Sequence, residues 1–186
     1  MYGLVNQAIE DMIVMHHGES VWLQVKNTAD LDVDVFLRNE AYPDEITNKL
    51  ISAAVNILNV PVEEFLHNFG EHWILHTAQQ SYGGLMHSAG RTLHQFLKNL
   101  PDFHARVALL FPKLQPPTFT ITDESDYSLK LHYMSSRQGL QPFVVGLIHG
   151  LGKLFNTPVT VRLLEMPERG ANHDVFEIKW TAPLAG

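Results

Sequence analysis

The apolar residues of this chain change their period once, and that change constrains the fold more than any other feature. Up to residue 111 they recur at the three-and-four spacing of helices, and beyond Pro112 they alternate in short runs of strand length. A stripe on a helix and an alternating strand bury their apolar faces differently, so such segments stack as separate layers. The expectation is an α+β chain, with a helical lobe packed on a lobe built around an antiparallel sheet.

Leu4, Val5, Ala8, Ile9, Met12 and Ile13 define a helix over residues 2–16 that Gly18 ends. A second short amphipathic helix covers 19–28 around Val21, Trp22 and Val25. A third starts at Asp44 and Glu45, turns Leu50, Ala54, Ile57 and Leu58 inward, and stops at Asn59 and Pro61. Residues 62–77 read as a fourth, with Val62, Phe65, Leu66, Phe69 and Trp73 along one side. A fifth follows Gly90 through Leu93, Phe96 and Leu97, and a sixth covers about 101–111. Strand patterns occupy Thr118–Thr122 and Leu129–Ser135, separated by the polar turn TDESDY. Helical spacing returns over 139–155, and strands are expected at 158–165 and 174–180 around the loop PERGANHD. The reading is one domain over residues 1–180, with a helical lobe to about residue 60, a second lobe from about 61, and a tail over 181–186.

The net charge of −7, with basic residues scattered, disfavours a nucleic acid or an anionic membrane as partner. The absence of cysteine excludes disulfides, thiolate metal sites, thiol catalysis and covalently attached c-type haem. The N-terminal stretch has no basic region and carries Glu10 and Asp11, and no run of about 18 apolar residues exists. Neither a signal peptide nor a membrane span is expected, which fits a cytoplasmic protein. No phosphate-binding loop, nucleophile elbow or purposeful carboxylate pair is present, so nothing argues for an enzyme.

Eleven histidines need weighing. His104 lies in LPDFHARVALLF, where it shares a helical face with Val107, Ala108 and Phe111. A lone histidine on such a stripe is commonly a hydrogen-bonded core residue; the alternative is an axial metal ligand over an apolar shelf. In YMSSR, strand geometry would put Tyr133, Ser135 and Arg137 on one face, spanning about 13 Å. A phenol, a hydroxyl and a guanidinium without an acid among them suit a pair of carboxylates, though an ordinary polar strand face reads the same way. Pro116 and Pro117 make a stiff connector, or press a ring against a planar ligand. His72 and His76 stand one turn apart in HWILH but lack the glutamate of a zinc-protease motif.

Taken in order, MYGLVNQAIEDMI, FLHNFGEHW, LPDFHARVALLFP, PPTF, LHYMSSRQGL and GLIHGLGKLF resemble the H-NOX (haem nitric oxide/oxygen binding) family. The resemblance spans about residues 1–180 and extends to the haem domain of the soluble guanylate cyclase β subunit and its stand-alone, cyanobacterial-type bacterial relatives. It implies haem b held non-covalently between the lobes, with His104 as the proximal iron ligand. It implies that Tyr133, Ser135 and Arg137 clamp the propionates and that Pro117, rather than Pro116, distorts the macrocycle.

Oxygen-binding members carry a distal tyrosine where this sequence reads LQPFVVG, with Pro142 at the matching place. Leu4, Val5, Phe143 or Val144, and Leu147 then make apolar walls. Trp73 either reaches a bound ligand with its indole N–H, fills the pocket, or simply packs in the core. The implied function is a sensor of NO and CO that excludes O₂. By the resemblance, release of His104 would move its helix, and a histidine kinase or diguanylate cyclase would read the shift in trans, since no output domain follows residue 180. The competing readings are a haem protein for gas storage or redox chemistry and a haem-free domain that binds a ligand or partner.

Overall fold

The computed structural model describes residues 1–111, 116–164 and 173–182. The helices are α1 (Gly3–His17), α2 (Glu19–Thr28), α3 (Asp44–Leu58), α4 (Val62–His72), α5 (Gln79–Ala89), α6 (Leu93–Lys98), α7 (Leu100–Leu110) and α8 (Gln141–Leu154). The strands are β1 (Thr118–Thr122), β2 (Ser128–Met134), β3 (Val159–Leu164) and β4 (His173–Trp180). The expected α+β class is what the structure has.

Local chemistry explains the boundaries. Gly18 takes a φ of +87° between α1 and α2, and Asn59 adopts the left-handed conformation that stops α3. The hydroxyl of Thr92 caps α6 by accepting from the Gln95 backbone N–H. Proline stands in the first turn of both α7 and α8, where its missing N–H is not needed.

The strands form one antiparallel sheet in the order β1-β2-β4-β3. The register sets Leu131 beside Ile121 and Phe176, and Leu129 beside Ile178. Those side chains point to one face and join Leu93, Phe96 and Leu97 of α6 and Ile148 and Leu151 of α8 in one core. A second core collects Ile9, Ile13, Trp22, Val25, Phe36 and Leu50, with Phe65 and Phe69 of α4. Trp73 packs against both.

Three differences from the sequence expectation bear on the site. The expected fourth helix is continuous through Ala78, but residues Trp73–Ala78 wind as a π-helix, a form that concentrates at functional positions. Helix α5 had no counterpart in the sequence reading. Only Met86 and Ala89 of it are buried, too few to create a period, and Tyr82 breaks the helix with φ −137° and ψ 16°. Finally, β2 ends at Met134, so Ser135 and Arg137 are not on the strand that carries Tyr133. Residues 112–115, most of PERGANHD and the end of the tail lie outside the described residues.

Helices α4 and α8 cross at backbone contact. A Cβ on Gly70 would overlap the Phe143 carbonyl, and one on Gly146 would overlap that of His67. A Gly146→Ala substitution should therefore destabilise the protein by about 1–3 kcal/mol or more, read as a lower denaturant midpoint. An unchanged midpoint would mean the helices can part without cost.

Candidate functional site

A cavity of about 270 Å³ lies between the two cores. Leu4, Val5, Trp73, His104, Pro117, Tyr133, Ser135, Arg137, Phe143 and Leu147 all line it. These are the residues the sequence singled out, drawn from both lobes. Pro116 lines it as well.

Helix α7 supplies one wall with Leu100, Phe103, His104, Val107 and Phe111 just beyond its end. The imidazole of His104 donates through Nδ1 to the Leu100 carbonyl at 3.2 Å. Its ring lies 4.6 Å from that of Phe119 and 5.6 Å from that of Phe103, centroid to centroid. Burial pushes its pKa down to about 4, with the carbonyl contact opposing. At neutral pH the ring is therefore uncharged, its tautomer set by the carbonyl, with the Nε2 lone pair left for a metal.

A second, apolar group combines Leu4 and Val5 of α1 with Phe69, Trp73, Phe143 and Leu147. The rings of Phe69 and Phe143 lie 5.2 Å apart, and that of Trp73 stands 6.1 Å from the first and 6.5 Å from the second. The glycine crossing of α4 and α8 is what brings these aromatics together.

The polar end of the cavity gathers Tyr133, Ser135 and Arg137 by a turn rather than by strand alternation. The Arg137 backbone N–H donates to Ser135 Oγ at 3.0 Å, folding the chain back just past β2. The guanidinium reaches across to α3, where Nε donates to Asp44 Oδ2 at 2.7 Å and Nη2 to Oδ1 at 3.5 Å. The Met1 ammonium adds a contact to Asp44 Oδ1 at 2.5 Å. The Asp44 carboxyl is held below the usual range, chiefly by its hydrogen bond from Arg137. Burial raises the Tyr133 phenol, partly offset by Ser135.

Sequence reasoning missed Asp44, Tyr2 and Tyr82. Asp44 read only as a helix start, and its partner is 93 positions away. Tyr82 lines the cavity from the kink in α5, 6.2 Å from the ring of Phe111, and burial pushes its phenol up to about 12. Tyr2 packs on the same Phe111 at 4.8 Å. Neither tyrosine sits in a pattern that sequence could flag. His72 and His76 do not reach the cavity; their rings stack 4.6 Å apart, and His16 approaches His72 at 6.2 Å.

A neutral imidazole on an apolar wall, a slot between aromatic side chains, and a guanidinium, phenol and hydroxyl at one end match what a porphyrin iron and its carboxylates require. Fold and donor set thus define a haem-binding domain. A family model described as haem-NO-binding matches residues 2–163, and the chain belongs to that family.

It is 34% identical over 167 residues to soluble guanylate cyclase gcy-31 of Caenorhabditis elegans, covering 89% of this chain and 24% of that protein. It is 32% identical over 108 residues to the guanylate cyclase soluble subunit beta-2 of Rattus norvegicus, covering 58% of this chain and 16% of that one. The chain thus spans about a quarter of these relatives' length, or less. An H-NOX protein from S. oneidensis in the Fe(II)NO ligation state shares the fold with a TM-score of 0.86 at 19% identity, covering 97% of this chain and 99% of that one. The unliganded Fe(II) H-NOX protein from K. algicida does so with a TM-score of 0.85 at 21% identity, covering 100% of both chains. No helix among the described residues is long and apolar enough to cross a membrane.

His72 generates a pH dependence. It is 4% exposed, and neither ring nitrogen has a hydrogen-bond partner. Burial first, then His76 and His16, lower its pKa from 6.5 to about 4. Between those values the unfolded chain takes a proton that the folded one refuses, so stability falls as pH drops below 6.5 and the loss is complete below about 4. A His72→Leu variant should be more stable by about 1–3 kcal/mol at neutral pH and flatter in this window, read from denaturant midpoints. An equal acid decline in both proteins would acquit His72.

Proposed function

We propose that this chain is a sensor domain that holds haem b on His104, takes NO and CO at ferrous iron, and excludes O₂. The observation that carries the reading is the Nδ1–Leu100 contact, which leaves Nε2 of a neutral His104 as the donor inside an apolar cavity. Haem bound there would supply a ferrous iron able to take a diatomic gas.

Arg137, Tyr133 and Ser135 would hold the propionates, with Asp44 beside Arg137. Pro117, which lines the cavity, would press against the macrocycle. Leu4, Val5, Trp73, Phe143 and Leu147 form the gas-side walls. The support for excluding O₂ is the apolar character of Phe143 and Leu147, with Pro142 where oxygen-binding members carry a tyrosine. A hydrogen bond to a charged group is worth about 1.5–3 kcal/mol, one to two decades of affinity that bound dioxygen forgoes. The rings of Tyr2 and Tyr82, which also line the cavity, pack on Phe111, beside the end of the His104 helix.

Signalling runs through α7. That helix carries His104 and lines the cavity, so it would shift if the histidine were released. Leu109 and Leu110 are exposed near its end and offer an apolar contact to an output protein. We read that protein as a histidine kinase or diguanylate cyclase acting in trans, in the cytoplasm, with the domain itself non-catalytic.

Absorption spectra of the ferrous protein, alone and with NO, CO and air, test this. NO and CO should each shift the Soret band and air should not yield a stable oxy species; an oxy spectrum would overturn the selectivity, and a colourless protein the whole reading. His104→Gly should lose the unliganded ferrous spectrum and regain it with added imidazole. Arg137→Ala should release haem to a scavenger about tenfold faster.

A further inference from the structure

We propose that His67, Glu71 and His149 form a second metal site, for a nitrogen-preferring divalent cation of the zinc class, that pins α4 to α8. One ligand atom from each of the three lies within 4.8 Å of the others. Among the described residues no other trio of His, Cys, Asp or Glu gathers its donors this closely.

The geometry follows from two features. His67 and Glu71 are one turn apart on α4 and so share a side of it. His149 comes to meet them from α8 because Gly146 and Gly150, on either side of it, let the helices touch. His67 Nε2 and His149 Nδ1 are 2.7 Å apart, with ring centroids at 5.0 Å.

Two imidazole nitrogens at that distance need a proton between them. A cation can replace it: each lone pair turns to the metal, and the displaced proton moves to the other nitrogen of its own ring. Zinc bonds of about 2.0–2.1 Å in tetrahedral geometry set nitrogens about 3.3 Å apart, so the rings need separate by well under 1 Å. Glu71 Oε2 already holds a cation, the Lys153 ammonium at 2.6 Å. The Lys153 side chain is 59% exposed and can swing into water when a metal takes its place.

Two imidazoles and a carboxylate select zinc, cobalt, nickel or copper over magnesium or calcium. The three residues are only half-buried, and a surface recess bounded by Glu71, His149, Lys153, Asn156 and Thr157 opens beside them, from which water can supply a fourth ligand. The site is separate from the haem cavity, which includes none of the three residues. Yet α4 runs directly into the π-helix with Trp73, and α8 carries Phe143 and Leu147. A metal here cross-links the two helices that form the gas-side wall.

The test is calorimetric titration of zinc chloride into the chelator-treated, haem-loaded full chain. One site with a dissociation constant of about 10 µM or tighter is expected, with a rise in thermal midpoint on zinc addition. His149→Ala and Glu71→Gln should each weaken binding at least about tenfold and abolish the thermal shift. Lys153→Ala, which removes the competing ammonium, should tighten it, a gain that misfolding cannot produce. His76→Ala should leave it unchanged. Failure of the parent protein to bind zinc below about 1 mM, undiminished binding by His149→Ala, or loss in His76→Ala would overturn the proposal.

Discussion

Everything around the cavity depends on how closely α4 and α8 approach. Helices normally stand about 8–10 Å apart because side chains fill the seam. Here Gly70 and Gly146 remove those side chains, and each helix presses on the other's backbone carbonyls. That contact couples the lobes, since α8 contributes Ile148 and Leu151 to the first core while α4 gives Phe65 and Phe69 to the second. It also places Trp73, Phe143 and Leu147 along one boundary of the cavity. Loosening it would disturb aromatic spacing and lobe docking together.

The electrostatics of the cavity are divided between its ends. Inside, His104 is neutral because the interior disfavours an imidazolium, and its tautomer is set by a carbonyl of its own helix. At the polar end, the Arg137 guanidinium is paired with Asp44, from the other lobe. An unpaired guanidinium in this half-buried position would be costly, so the ion pair both tolerates the charge and ties the turn after β2 to α3. A neutral imidazole and a guanidinium are thus positioned by separate means.

Much of this was legible in the sequence, for reasons that differ by element. Helix α1 and strand β2 bury regular stripes, so their apolar periods speak plainly. Helix α7 was legible from the shared face of His104, Val107, Ala108 and Phe111. Helix α5 was invisible because it buries little and Tyr82 breaks its regularity. Tyr133, Ser135 and Arg137 line one cavity, but not by the alternating strand that was expected: β2 carries Tyr133, and a hydroxyl-stabilised turn brings in the other two. The π-helix at Trp73 leaves no sequence signature, since it differs from an α-helix only in which carbonyl each N–H chooses.

What the sequence determined by itself was local: where helices and strands run, that the class is α+β, and which chemically distinctive residues stand ready. Those properties depend on period, capping and turn chemistry, which act over a few positions. Only the tertiary structure decided that Asp44 would meet Arg137, that Tyr2 and Tyr82 would share Phe111, and that His67 and His149, 82 positions apart, would stand within one proton of each other. Such pairings depend on how closely two helix backbones can approach and on where chain ends and turns come to rest. That is a property of the packed whole, and no short window of residues carries it.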